Sequence, residues 1–152
     1  MATQPTIQTL TDPRYTDVVL YEEDFFQSRD VITVTNSGGG TFKQGTVVWR
    51  VKGSDSTAVW DVVDAAGDIS VNNEYAVLIG NDYEPSETIV LTAATPTKCI
   101  AITRWAILKE TVLKSLLTVS PYTLSATNFN DIKRLLAKDG ILVNDSLVAI
   151  AP

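Results

Sequence analysis

The chain has 152 residues, 45% apolar and 20% charged, with a formal net charge of −6; that is the composition of one ordinary globular domain. It contains no His and a single Cys, Cys99. These counts exclude a Ser-His-Asp or Cys-His nucleophile, a Cys/His zinc site and an internal disulfide. The acidic balance also argues against a phosphate-binding surface, so nucleic acid is not an expected partner.

No apolar run approaches the roughly 18 residues of a membrane span. The longest, Ile100 to Leu108, is broken by Arg104, and no membrane partner is expected. Met1 to Ile7 has neither a basic nor an apolar signal region, so synthesis in a cytoplasm is expected. On that reading the Asn144-Asp145-Ser146 sequon is a chance match.

Residues 1–25 differ from the rest. Pro5 and Pro13 forbid a regular helix there, yet Ile7, Leu10, Tyr15, Val18, Val19, Leu20 and Tyr21 are spaced through the segment. It reads either as a frayed terminus or as an extended arm that gains order by adding to a partner as a strand. Residues 26–152 then form a single β-rich domain.

Val31–Thr35 is a short β-branched strand that ends in Asn36-Ser37-Gly38-Gly39-Gly40, a loop signal. Thr46–Lys52 and Ala58–Val63 are strands around a turn at Gly53–Ser56, and Asp64–Asp68 is a loop. Tyr75–Ile79, Thr88–Thr92 and Cys99–Thr103 follow, each bounded by Gly, Asn or Pro. Trp105–Leu117 fits either a strand followed by a helix or one helix with a β-rich entry. A clearer helix follows, capped by Asn128 or Thr127 with Asp131 in its first turn. Phe129, Ile132, Leu135 and Leu136 make its apolar stripe, and Gly140 is placed to end it in the left-handed conformation. Ile141–Val143 and Leu147–Ile150 close the chain as strands. The expected fold class is α+β: a small mixed β sandwich or barrel-like core, one C-terminal helix and an extended N-terminal arm.

Candidate chemistry is sparse. Gly40–Thr46 has the two-glycine spacing of a phosphate loop but lacks its Lys and precedes a strand, so a hairpin connection is expected. Asp61, Asp64 and Asp68, and again Asp82, Glu84 and Glu87, are acidic groups of the kind that hydrolyse glycosides or hold Ca²⁺, without calcium-loop spacing. Lys109 or Lys114 with Ser115 or Ser120 lacks any nucleophile-turn signature. No catalytic residue, metal site or cofactor is assigned. Trp49 and Trp60 sit in strands and are expected in or near the core. Trp105 beside Arg104 is the candidate interface.

Four groups, in order, carry a family likeness: Gly45-Thr46-Val47-Val48; Asp64-Ala65-Ala66-Gly67 with Tyr75-Ala76-Val77-Leu78; Cys99 to Ala106; and Asp131 to Ile141, a helix running into Gly-Ile. In this order the chain resembles the head decoration, or capsid cement, proteins of tailed bacteriophages, the lambda-D-like family. The stretch 109–127 departs from the shorter members. The resemblance implies a compact subunit that assembles as a homotrimer on local threefold axes of the expanded head. It also implies an N-terminal arm that pairs with the major capsid protein, and so a place on the outer capsid surface of the virion. Ile7, Leu10 and Tyr15 are the expected capsid contacts. Two rival readings are a β-rich tail or fibre module that contacts a glycan or protein, and a small carboxylate-dependent hydrolase.

Overall fold

The computed structural model describes residues 18–22, 25–55, 57–81, 84–85, 88–117 and 124–145. In chain order the elements are β1 (Val19–Glu22), α1 (Phe25–Ser28), β2 (Arg29–Thr35), β3 (Gly40–Lys43), β4 (Val47–Val51) and β5 (Trp60–Val62). Then come β6 (Asn73–Asn81), β7 (Glu84–Pro85), β8 (Thr88–Leu91), β9 (Thr97–Ile102) and β10 (Ala106–Leu108). The last are α2 (Glu110–Leu117), α3 (Ala126–Ala137) and β11 (Ile141–Val143). The fold is α+β and rich in strand, as the sequence implies.

Five strands close a barrel in the order β4-β5-β2-β9-β6, with β6 pairing back onto β4. An odd ring cannot alternate strand direction all the way round, so at least one neighbouring pair must be parallel. That pair is β2–β5, with Val34 beside Trp60; the other pairs are antiparallel.

Side chains alternate between the two surfaces of the wall. Ile32 and Val34, Val48, Trp60 and Val62, Ala76 and Leu78, and Cys99 and Ala101 fill the inside. Phe42 of β3 with Ile89 and Leu91 of β8 join them. These two strands form a separate antiparallel ribbon. Val47, Tyr75, Val77, Ile79, Ile100 and Ile102 belong to a second core, outside the barrel. There they meet α2 through Leu113 and Leu117, and α3 through Phe129, Ile132, Leu135 and Leu136. The three-stranded sheet β1-β10-β11 completes this layer through Val19, Leu108, Ile141 and Val143. The run Tyr75–Ile79 is therefore buried throughout, because β6 has a core on each side.

Some local expectations are met and others are corrected. Trp105–Leu117 is a strand followed by a helix. The cap of α3 is Ser125, not Thr127 or Asn128: its Oγ accepts from the Asn128 N–H at 3.1 Å, and the Ser125 N–H donates to Asn128 Oδ1 at 3.1 Å. This reciprocal capping box draws the helix start upstream and puts Asp131 past the first turn. The helix ends at Ala137, and Gly140 takes the left-handed conformation with φ +76°. Leu147–Ile150 lies outside the described residues.

Val19–Glu22, inside the expected arm, instead forms β1, paired antiparallel with β10. Glu22 ties this strand to the barrel. Its carboxylate accepts from Arg29 Nε and Nη2, both at 2.7 Å, and from the Ser28 hydroxyl. The side chains are only 9% and 20% exposed for Glu22 and Arg29. Replacing the Glu22 carboxylate removes its charge-assisted hydrogen bonds to Arg29 and its bond to Ser28. Glu22→Gln is expected to lower the unfolding free energy by about 3 kcal/mol, read as a lower urea midpoint at unchanged slope.

Candidate functional site at the barrel mouth

One end of the barrel opens into a concavity of about 850 Å³. Four strands of the ring contribute a residue to it, Asp30 from β2, Arg50 from β4, Trp60 from β5 and Glu74 from β6, and Thr103 adds one just beyond β9. Asp30, Arg50, Glu74 and Thr103 are in phase with the inward-facing Ile32, Val48, Ala76 and Ala101 of the same strands. They are the last inward positions before solvent.

Arg50 covers the interior. Its guanidinium lies 4.5 Å from the centre of the Trp60 ring and is ion-paired to Glu74, its cross-strand neighbour. Trp60 beneath it is 5% exposed. A cation over an indole face is attracted by the ring quadrupole, and the ion pair fixes the guanidinium plane.

The rim carries the two residues singled out as an interface. Arg104 donates from Nε to the Gln27 carbonyl at 2.7 Å and from Nη2 to Asp30 at 2.5 Å. The Thr103 hydroxyl donates to the same Asp30 carboxylate at 2.7 Å. Trp105 is 47% exposed, with the Arg104 guanidinium 6.0 Å from its ring centre. Its φ is +49°, unusual for a bulky residue. The indole fits because Gly140 lies under it: a Cβ on Gly140 would come within 2.8 Å of Trp105 Cδ1. Lys138 and Asp139 complete the rim, and Val31 presents an exposed side chain beside it.

The structure thus brings Trp105 and Arg104 together with Asp30, Arg50 and Glu74, which sequence reasoning missed. Once the inward positions are known, phase identifies them: Glu74 is two residues before Ala76, and Arg50 two after Val48. Ile7, Leu10 and Tyr15 lie outside the described residues. Trp60 lines the barrel interior, and Trp49 is half-buried against the outer core.

The other candidates are used locally. Gly40–Lys43 of the expected hairpin connection is a strand in its own right, paired with β8. The Gly45 N–H donates to the Leu78 carbonyl, and that of Thr46 to the Lys43 carbonyl. Those amides are therefore already engaged. Asp68 accepts from the Asp64 and Ala65 N–H groups, closing its own turn. Burial, and then the Asp68 and Asp61 charges, hold the Asp64 carboxyl above the usual range. Among the described residues no group of three His, Cys, Asp or Glu side chains is placed to hold a metal. The Ser115 hydroxyl donates within α2 to the Val112 carbonyl at 2.8 Å. Asp82, Glu87 and Ser120, and the side chain of Glu84, are outside the described residues. Among those described, no helix is long and apolar enough to cross a membrane.

No protein family, curated protein or solved structure matches the chain.

Two outcomes are expected. Gly140→Ala places a methyl group where the indole sits and strains a left-handed position. It should cost about 1–2 kcal/mol and shift the Trp emission spectrum, measured by denaturation and fluorescence. Asp139 concerns pH. Burial raises its carboxyl pKa; Lys52 lowers it, Glu74 raises it further and Lys138 lowers it. A raised pKa means the folded state holds the proton longer, so this group favours folding at low pH. That contribution is lost as pH rises through the folded pKa. Asp139→Asn should therefore raise the thermal midpoint at neutral pH. The gain should shrink toward zero below about pH 4, the ordinary carboxylate range, in melts recorded across pH.

Proposed function

We propose that this protein is a capsid decoration protein. It binds the outer surface of the expanded head of a tailed bacteriophage, as trimers at local threefold axes, and stabilises the shell against the pressure of packaged DNA. The observation that carries the reading is the order of the four family-like sequence groups. They fall on β4, on the turn after β5 with β6, on β9, and on α3 leading into β11. Most of these residues belong to walls of the barrel and to the helix that covers it, with Asp64–Gly67 in the turn between β5 and β6.

Two further features support it. The net charge of −6 suits a surface that faces water and away from DNA. The segment before β1 carries Ile7, Leu10 and Tyr15 in a Pro-containing stretch suited to strand addition. In that mode main-chain hydrogen bonds supply affinity and alternate side chains supply specificity. The major capsid protein is the partner, with Ile7, Leu10 and Tyr15 as the anchoring side chains.

Stabilisation then follows from linkage. A subunit that binds the expanded lattice and not its precursor favours the expanded state in proportion to occupancy and affinity. Many copies acting together multiply a modest free energy per site. The second reading, a tail or fibre module, is favoured by one observation, the exposed indole of Trp105.

The test is co-sedimentation with heads of the source phage before and after expansion. Saturable binding to expanded heads alone, near one copy per capsid subunit, is expected. Deleting residues 1–15 should abolish that binding and leave the circular dichroism spectrum and melting midpoint of the domain unchanged. Undiminished binding by the truncated protein would remove the arm from the mechanism, and absence of binding by the full chain would remove decoration itself.

A further inference from the structure

We propose that the mouth of the barrel is a binding site for a neutral saccharide. The inference holds whichever reading of the whole protein is correct, because it rests on the mouth alone.

Charge comes first. Asp30, Glu74 and Asp139 face Arg50, Arg104 and Lys138 around one opening, three of each sign. The formal sum is zero, so the mouth offers no net field to draw in an anion or a cation. What it does offer is a dense ring of donors and acceptors. A guanidinium has five N–H donors. Arg104 spends two of them on Gln27 and Asp30. Carboxylate oxygens each accept more than one hydrogen bond. A ligand with many hydroxyl groups, each both donor and acceptor, matches such a ring.

Geometry comes second. The donors and acceptors are held before any ligand arrives. Glu74 and the Trp60 face fix Arg50, while Asp30 and the Gln27 carbonyl fix Arg104. Little ordering entropy is then lost on binding. The volume of about 850 Å³ falls inside the range of small-ligand sites, about 300–1,000 Å³. The mouths of β-barrels are also among the places where such sites form.

Trp105 supplies the third argument. A pyranose ring has one face of C–H bonds and a perimeter of hydroxyls, and so wants an aromatic plate beside polar groups. The indole of Trp105 is such a plate, exposed on the rim next to Arg104. It is kept there in a left-handed backbone conformation, seated over Gly140. Backbone strain of this kind costs about 1–3 kcal/mol and concentrates at ligand sites. A fold with no use for the exposed indole could relieve that cost with Gly or Asn at the same position.

The test uses the full chain. D-galactose, N-acetyl-D-glucosamine and methyl α-D-glucopyranoside serve as neutral probes, with N-acetylneuraminic acid and D-glucosamine as charged ones. Binding is followed by saturation-transfer NMR and by Trp emission. Saturable binding of at least one neutral probe in the millimolar range or tighter is expected. Trp105→Ala should weaken it at least tenfold. Arg104→Gln, at a side chain 41% exposed, should weaken it several-fold without disturbing the fold. Binding of none of the neutral probes would overturn the proposal. So would tighter binding of a charged probe than of every neutral one, or binding unchanged in both variants. Capsid co-sedimentation reads the decoration function separately, so the two ideas fail independently.

Discussion

The closed ring of five strands is the constraint from which the other parts of this structure follow. An odd ring needs at least one parallel pair, and parallel neighbours cannot be joined by a tight turn. The chain therefore leaves β2, builds β3 and β4 elsewhere, and returns as β5 beside β2. The closed wall also creates two apolar surfaces where an open sheet on one layer would have one. The inner surface packs on itself. The outer one must be covered, and α2, α3 and the β1-β10-β11 sheet cover it. The Glu22–Arg29 pair sits where the first strand of that covering layer meets the first strand of the barrel. At that junction, directional bonds fix a relation that non-directional apolar packing would leave loose.

The two ends of the ring are closed by different means. β3 and β8 attach where β2 and β6 finish and where β4 and β9 begin. Phe42, Ile89 and Leu91 of that ribbon extend the apolar interior at this end. At the other end the interior stops under Trp60, and charged pairs take over. Apolar residues at the four last inward positions there would seal the barrel more simply. Instead Asp30, Arg50 and Glu74 occupy the last inward steps, each in an ion pair. Ion pairs near solvent contribute little to stability, so this end is closed by polar groups that meet water and not by further apolar packing.

Much of the architecture was legible because β-branched runs bounded by Gly, Asn and Pro report strands directly. Thr46–Lys52, Tyr75–Ile79 and Cys99–Thr103 all lie over observed strands. The stripe of α3, Phe129, Ile132, Leu135 and Leu136, is buried as its spacing implies. Pairing was not legible. Tyr75-Ala76-Val77-Leu78-Ile79 is apolar at every position, so alternation could not say which residues face inward. The continuous run arises because both faces of β6 are covered. Without that phase, nothing in the sequence marks Glu74, which precedes the expected strand Tyr75–Ile79. Its role as partner of Arg50 depends on the β4–β6 register, which sets Arg50 opposite Glu74 across some two dozen residues of chain. Local rules do not reach that far. Strands as short as β3, and a capping box that begins at Ser125, were blurred for the opposite reason: too few residues carry the signal.

Trp105 was visible as a large aromatic residue beside an Arg, but its setting was not. Residue type alone gives no hint that this Trp has a positive φ, and the glycine that permits it is Gly140, distant in sequence. The link between them is the parallel pairing of β10 with β11, which sets Ala106 beside Ile141 and so brings the preceding residues, Trp105 and Gly140, together. The Ala106 N–H donates to the Gly140 carbonyl at the same place. Gly140 therefore serves two ends at once. It lets the chain turn out of α3 into β11, and it leaves the space in which the indole lies. A helix-ending glycine reads from sequence as a terminator only. Here the missing side chain shapes the rim, so the turn that closes the domain also sets the aromatic edge of the barrel mouth.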